Sequence, residues 1–354
     1  MAKKKKSGMI KKVILLIMVI LLAVALYGAY DVYKKVYQPN VTLNNITDDY
    51  FYIYSNYEFD DVVHDLYEKG YIINRASFEW VAEKKKNFKN NIHPGRYLLK
   101  EGMSNNELID LLRSGQSVPV KVTFNNVRTI EGLAGKISKN LECDSIEIVG
   151  LLTDNEFVNG YGFNKNTILT MFLPNTYQFN WSTTAKQAIE RMAQEYKKFW
   201  TDERKAKAQK LHLSQSEISI LASIVQAEQS VHSDERPRVA GLYINRIRKG
   251  MLLQSDPTII YGLGDFSIRR VLNKHKAIDT PYNTYIHQGL PPGPINLPSI
   301  KSLDAVLNYE QHDYIYMCAK EDFSGYHNFA KTYEQHQIYA NKFQKELDRR
   351  KIFN

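Results

Sequence analysis

The chain has 354 residues, 44% of them hydrophobic and 24% charged, an ordinary globular composition with length enough for a membrane segment and two modest cores. Its formal charge of +9 suggests a polyanion-binding surface, but six of the 47 basic residues (Lys3, Lys4, Lys5, Lys6, Lys11 and Lys12) lie in the first dozen positions. What remains is 41 basic against 38 acidic residues, so nucleic acid is not an expected partner.

Those lysines precede an uncharged run from Val13 to Tyr30 (VILLIMVILLAVALYGAY). With Met9 and Ile10 it reaches the roughly 20 residues that a bilayer-spanning helix needs. Residues 9–30 therefore read as a single-pass anchor in the inner (cytoplasmic) membrane. The positive-inside rule places residues 1–8 in the cytoplasm and everything after about residue 31 outside. A cleaved signal peptide is the competing reading, but the run is long for one and no clear A-x-A site follows. Cys143 and Cys318 fit no zinc spacing and are expected to be free and buried, although export would permit a disulfide.

A simple unit then recurs. Tyr50 to Tyr54 reads as a strand, and Phe59 to Lys69 as a helix with Val62, Val63, Leu66 and Tyr67 on one side, stopping at Gly70. Arg96 to Leu99 is strand-like, Gly102 turns the chain, and Ser104 with Glu107 makes a capping box for a helix ending at Gly115. A third version pairs strand Val120 to Phe124 with a helix from about Thr129 to Leu141. The second unit, GRYLLKEGMSNNELIDLLRSG, resembles the LysM-like glycan-binding modules of cell-wall proteins. A plain packing domain without ligand contacts explains the pattern equally well.

Further on, Lys186 to Phe199 and Asp202 to His212 read as helices. Ser214 and Glu217 form another capping box. The helix they open carries Ile218, Leu221, Ala222, Ile224 and Val225 on one face. That stripe continues to position 228, where the residue is Glu, while Gln226 and Gln229 project from other sides. A carboxyl on an apolar face is costly unless it is paired or protonated, and partial burial raises its pKa. A protonated carboxyl near neutral pH is what a general acid requires. The alternatives are that Glu228 frays into solvent or pairs with Arg236 or Arg246.

Ser233 or Asp234 can cap the next helix, which has Pro237 in its first turn and stops at Lys249-Gly250. Two loops then mix amides, hydroxyls and tyrosines with Gly and Pro, LLQSDPTIIYGLG (252–264) and TPYNTYIHQGLPPGPI (280–295). Such loops suit sugar contacts, since tyrosine offers a flat face to a pyranose ring. Neither a G-x-S-x-G elbow nor a P-loop occurs.

LASIVQAEQS (221–230), ERPRVAGLYINRIRKGMLLQSDPTIIYGLG (235–264), PYNTYIHQGLPPGPI (281–295) and the spaced His327, Phe329, Thr332 and His336 resemble the endolytic murein transglycosylases, the MltG or YceG-like family. LPNTYQF (173–179) looks like a further block of that family. The resemblance implies an α+β fold in which an N-terminal transmembrane helix is followed by a LysM-like module (41–116) and a larger transglycosylase catalytic domain (117–354). It implies that the substrate is the glycan strand of peptidoglycan, that penicillin-binding-protein synthases are partners, and that no cofactor or metal is used.

The implied catalytic residue is Glu228. Family members typically read A-S-I-V-E-x-E, whereas here the first acid is Gln226, so the block keeps one carboxyl. Substrate contacts are expected from Asn245, Gln254, Asp256, Tyr261, Asn283, Tyr285 and His327. Two upstream departures, Leu169-Thr170 in place of Glu-Gly and Asn175 in place of Asp, bear on affinity. The implied reaction cleaves the bond from N-acetylmuramic acid to N-acetylglucosamine and leaves a 1,6-anhydro end. Asp256 could instead serve as a second carboxylate for hydrolysis by a muramidase, or cap its own turn. A glycan-binding scaffold with a degenerate site is the non-enzymatic alternative. A zinc site at His327 and His336 is not expected, because carboxylate or cysteine partners are missing.

Overall fold

The computed structural model describes residues 2–44, 46, 48–85 and 88–351, with side chains from Gly8 onward, so Lys3 to Lys6 of the expected cytoplasmic tail lie outside the described side chains. The described chain mixes helices with short strands, an α+β architecture. It divides into two compact units, residues 1–120 with 180–182, and residues 121–179 with 183–354.

The first unit opens with α1 (Ala2–Tyr37). From Gly8 to Tyr37 this helix is long and apolar enough to cross a membrane, and its Leu, Ile and Val side chains are exposed. Its C-terminal end is held by the rest of the unit. The Lys35 carbonyl accepts from Asn105 Nδ2 at 2.9 Å, and Val36 packs against the core. Next come β1 (Tyr50–Ile53), α2 (Phe59–Glu68), α3 (Arg75–Lys84), β2 (Gly95–Leu98) and α4 (Asn105–Ser114). β1 and β2 pair antiparallel with Phe51 opposite Tyr97. Phe59, Val62, Val63 and Leu66 of α2 are buried as their 3.6-residue spacing requires, whereas Tyr67, expected beside them, is 42% exposed. The sequence pattern did not reveal α3, which buries only Phe78, Val81 and Ala82 among charged neighbours and is started by the Asn74 side chain accepting from Ser77 N. The capping box of α4 forms, and Gly115 ends the helix at φ +65°.

The second unit contains β3 (Val120–Phe124) from its second residue onward, α5 (Ile130–Ser138), α6 (Ser145–Thr153), α7 (Asn155–Asn159), a 3-10 turn (Ile168–Met171) and β4 (Asn175–Phe179). β3, read as the start of a third repeat, does not join β1 and β2 but pairs with β4. Helices α8 (Ala185–Phe199), α9 (Asp202–Lys210), α10 (Gln215–Glu228), α11 (Arg236–Arg248), α12 (Asp256–Leu263), α13 (Asn273–Lys276) and α14 (Ile300–Leu307) follow, then hairpin β5 (Tyr316–Ala319) and β6 (His327–Ala330), and α15 (Tyr333–Arg349). Both cysteines are free. Cys143 is buried, which pushes its thiol up to about 11, while Cys318 is only half-buried.

α10 lies at the centre of this unit, packed against α11, α12, α14 and the 3-10 turn. Every residue from Ile218 to Val225 is buried, including Ser219 and Ser223. The buried hydroxyls are satisfied: Ser223 Oγ donates to the Ile220 carbonyl (2.7 Å) and accepts from Ile295 N (3.1 Å), as a buried polar group must. Leu169 and Thr170, where the family was expected to carry Glu-Gly, are buried beneath this helix. The N-cap of α11 is Glu235 rather than Ser233 or Asp234; Asp234 instead accepts from the Tyr326 hydroxyl at 3.0 Å.

The segment 310–315 runs along α11. Glu310 N donates to the Pro237 carbonyl, and Asn245 Nδ2 donates to the carbonyls of His312 (2.6 Å) and Tyr314 (3.1 Å). Gly241 permits this approach, since a Cβ there would overlap the Glu310 carbonyl oxygen and the His312 ring. Gly241→Ala should therefore destabilise the protein by about 1–3 kcal/mol, as overpacking does. Gly135→Ala in α5, where a Cβ meets nothing within 4 Å, should be neutral or stabilising by about 0.5–1 kcal/mol. Thermal unfolding of the two variants checks the contrast, and equal melting temperatures would refute it.

Candidate active site

Glu228 is the last residue of α10. Its Oε1 accepts from the Tyr243 hydroxyl (2.9 Å) and the Ser255 hydroxyl (2.5 Å). Tyr243 comes from the buried face of α11, and Ser255 is the residue before α12. Ser255 is itself fixed, its N–H donating to Thr284 Oγ1 (3.0 Å) and its carbonyl accepting from Thr258 Oγ1 (2.7 Å). Burial raises the Glu228 pKa above the ordinary carboxyl value. The hydrogen bonds from Ser255 and Tyr243 oppose the rise, and the nearby Asp256 charge adds to it. The C-terminal end of a helix, where the macrodipole is negative, disfavours the anion further.

Neither arginine considered as a partner reaches this carboxyl. Arg236 donates to the carbonyls of Gln229 (2.9 Å) and Ser230 (3.2 Å) and to Ser302 Oγ (3.1 Å), closing the C-terminus of α10. Arg246 donates to the carbonyls of Ile315 (2.7 Å), Leu252 (3.0 Å) and Leu253 (2.9 Å) and to Gln254 Oε1 (3.2 Å). Fraying into solvent is also absent, because both hydroxyls hold the side chain half-buried.

Glu228 opens into a cavity of about 300 Å³ that it shares with Asp256, Tyr285, Gln254 and Arg246. Asp256 does not act as a turn cap: its Oδ1 accepts from the Tyr285 hydroxyl at 2.7 Å. That bond, after burial, raises the Tyr285 pKa, so the phenol stays a donor. Gln254 is exposed at the rim with φ +55°. Tyr316 and His336 are also in the wall; burial holds the His336 pKa below its ordinary value, which favours the neutral ring.

The remaining expected contacts are placed elsewhere. Asn245 spends its amide on the 310–315 segment and does not line the cavity. Asn283 is fully buried, donating to the carbonyls of Lys276 (3.0 Å) and Ile278 (2.8 Å) and accepting from Tyr285 N (2.9 Å). Both were expected to touch substrate; their amides are committed to the backbone of the 310–315 segment and of the turn that carries Tyr285. Tyr261 lines a second, larger cleft. His327 donates through Nδ1 to the buried Glu235 carboxylate (2.7 Å), which also accepts from His327 N (2.9 Å) and Gln229 Nε2. Burial alone would raise the Glu235 pKa, but these bonds outweigh it and hold the carboxyl below its usual value. Gln229, expected on another side of the helix, is buried in this cluster.

Sequence reasoning missed Tyr243, Ser255 and Glu235. The hydroxyls carried no signal because serine before an Asp-Pro turn and tyrosine on an apolar helical face are common structural residues. Among the described residues no group of three His, Cys, Asp or Glu is placed to hold a metal.

A model of the YceG-like family matches residues 51–342. The chain is 30% identical over 264 residues to an endolytic murein transglycosylase of Bacillus subtilis, covering 70% of this chain and 72% of that protein. It is 26% identical over 286 residues to an endolytic murein transglycosylase of Streptococcus pneumoniae, spanning 72% of this chain but 51% of that longer relative. The crystal structure of a yceG-like protein of Listeria monocytogenes superposes with a TM-score of 0.54 at 26% identity, covering 82% of this chain and 97% of that one. With most of its length inside the family model, this chain belongs to the YceG-like family.

Proposed function

We propose that the chain is a membrane-anchored, endolytic peptidoglycan lytic transglycosylase whose acid–base group is Glu228. The observation that carries this reading is a carboxyl raised in pKa, facing a cavity, and left unpaired by Arg236 and Arg246. The names of the Bacillus and Streptococcus relatives agree with it. Helix α1 fits a single-pass anchor with the N-terminus inside, residues 41–116 a LysM-like module and residues 117–354 the catalytic domain. Penicillin-binding-protein synthases would be its neighbours in that compartment.

In the proposed reaction both protein donors occupy Oε1, which leaves Oε2 to carry the acidic proton. That proton passes to the glycosidic oxygen as the bond from muramic C1 breaks. The muramic C6 hydroxyl attacks C1, and its proton returns to the Glu228 carboxylate. The 1,6-anhydro ring closes and no water is consumed. Tyr243 and Ser255 keep the carboxylate oriented between the two transfers, the role of preorganised donors at a site of developing charge. Tyr285, Asp256 and Gln254 are the proposed substrate contacts around the cavity, and His327, outside its lining, is held by Glu235 near enough for its charge to act on Glu228.

The presence of Asp256 in the same cavity favours one alternative, a muramidase in which that carboxylate and water complete a hydrolysis. Digestion of sacculi by the wild type should yield anhydro-muropeptides by mass spectrometry, and reducing ends instead would establish the muramidase. Glu228→Gln should lower the rate by about 10²–10⁴-fold, the usual contribution of general acid–base catalysis; unchanged strand lengths in cells would leave a scaffold as the better reading.

Asp256→Asn separates the mechanisms through pH. The Asp256 charge pushes the Glu228 pKa upward, so its removal should lower that pKa. The acid form of Glu228 is then lost at lower pH, and the alkaline limb of kcat/KM should move down while activity on the acid side persists. Loss of activity at every pH would point to hydrolysis through Asp256.

A further inference from the structure

A second cleft, about 940 Å³ in volume, lies on the other side of the wall that holds Glu228. Gln226 and Ala227 of α10 and Pro257 of α12 line it, while their chain neighbours Glu228 and Asp256 line the smaller cavity. Its charged lining residues are Arg128, Lys136 and Arg236, and no Asp or Glu lines it. The bonds these cations make are to neutral groups. Lys136 Nζ donates to the Asn125 carbonyl (2.5 Å), Arg236 is spent on carbonyls and a serine, and the Arg128 guanidinium lies 4.4 Å over the Phe266 ring. The N-terminus of α5, with Thr129 and Gly132 in the lining, adds the positive end of a helix dipole.

Beside this positive wall are the aromatic faces of Tyr261 and Phe266, their rings 6.4 Å apart. Tyr261 is fixed by its hydroxyl donating to the Arg128 carbonyl (3.3 Å) and by the Tyr282 ring at 4.7 Å. The Glu131 carboxylate acts on Tyr261 from nearby but makes no ion pair with Arg128 or Lys136 among the described residues, and an aromatic face beside a guanidinium and an ammonium group suits a ligand with an apolar sugar face and a carboxylate. A neutral glycan satisfies only half of that lining.

Resting on the transglycosylase reading, we infer that this cleft binds the carboxylates of the stem peptide attached to muramic acid, through Arg128 and Lys136, while a sugar ring packs on Tyr261. The enzyme thus measures the peptide as well as the glycan, and an uncharged stem binds weakly. The link to the acid is through the chain, since Gln226, Ala227 and Pro257 of this lining are the sequence neighbours of Glu228 and Asp256.

Binding tests this without turnover, using the full-length chain in detergent with Glu228→Gln to prevent cleavage. The probes are short glycan strands with stem-peptide carboxylates free, the same strands with those carboxylates converted to carboxamides, and a chitin oligomer without peptide. The free-acid strand should bind about tenfold tighter than the carboxamide strand, the scale of one charge-assisted contact. The Arg128→Gln, Lys136→Gln double variant should bring that ratio close to one, and Arg128→Glu should bring it to one or below. Both side chains stand at the surface or its edge, and unchanged melting temperatures will show that the variants fold. A wild-type ratio near one overturns the inference, as does a ratio that survives in the variants. If the ratio behaves as expected but the wild type cleaves nothing, the transglycosylase reading fails and the peptide site stands. No binding of any strand overturns both.

Discussion

Two hydroxyl groups, from Tyr243 and Ser255, meet on one oxygen of Glu228, and three helices depend on that meeting. α10 supplies the carboxyl from its last turn, α11 supplies the phenol, and the residue opening α12 supplies the serine. Each donor is anchored by bonds away from the cavity: Ser255 through Thr284 and Thr258, α11 through Arg236 and the strip of carbonyls from residue 312 to 315. The carboxyl is consequently held by elements that cannot follow it if it swings, and its second oxygen is left to the cavity. A geometry set by surrounding packing in this way is what a single acid–base group needs when it must give a proton and then recover one.

The charges around this point are sorted with equal strictness. Arg236 and Arg246, both buried, approach the same helices as Glu228 yet bond to carbonyls and hydroxyls rather than to the carboxyl. A salt bridge from either would pin Glu228 as an anion and lower its pKa. Arg236 instead places its positive charge on the open carbonyls at the end of α10, where a helix favours a cation. Glu235, seven residues beyond Glu228, shows the opposite treatment: surrounded by donors from His327 and Gln229, it is kept ionised. Two glutamates close in sequence thus have their pKa values moved in opposite directions, Glu228 upward because burial outweighs its two hydroxyl donors and Glu235 downward because an imidazole, a backbone N–H and an amide outweigh its burial.

Much of this was legible beforehand, and the reasons differ by element. The capping boxes at Ser104 and Ser214, the terminal glycines at 115 and 250, and the stripe that leads to Glu228 are local patterns, and local patterns survive folding. The α3 helix was hidden because it buries only three residues, Phe78, Val81 and Ala82, among polar and charged neighbours. The pairing of β3 with β4 was hidden because register between strands fifty residues apart leaves no local trace. At the site, Asn245 and Asn283 were expected as sugar contacts from the family resemblance, and only the fold shows that their donors go to backbone carbonyls, because exposed and buried amides read alike in sequence. Tyr243 and Ser255 were overlooked for the complementary reason, that a hydroxyl aimed at a carboxyl is a property of three-dimensional proximity.

The placement of Glu228 also has an energetic sign that separates it from an ordinary buried residue. Its folded pKa lies above the unfolded value. At pH well below the ordinary carboxyl range both states are protonated and the residue is neutral toward folding. As pH rises past the unfolded pKa, the unfolded chain ionises first, and stability falls until the folded pKa is reached. Each unit of separation removes about 1.4 kcal/mol at neutral pH. A leucine continuing the α10 stripe would carry no such deficit. The fold tolerates it because the eight residues from Ile218 to Val225 are buried without exception and the loss falls on the last turn, where Arg236 closes the helix from outside. Stability is surrendered at one position and secured at its neighbours, the pattern expected where a side chain is kept for chemistry.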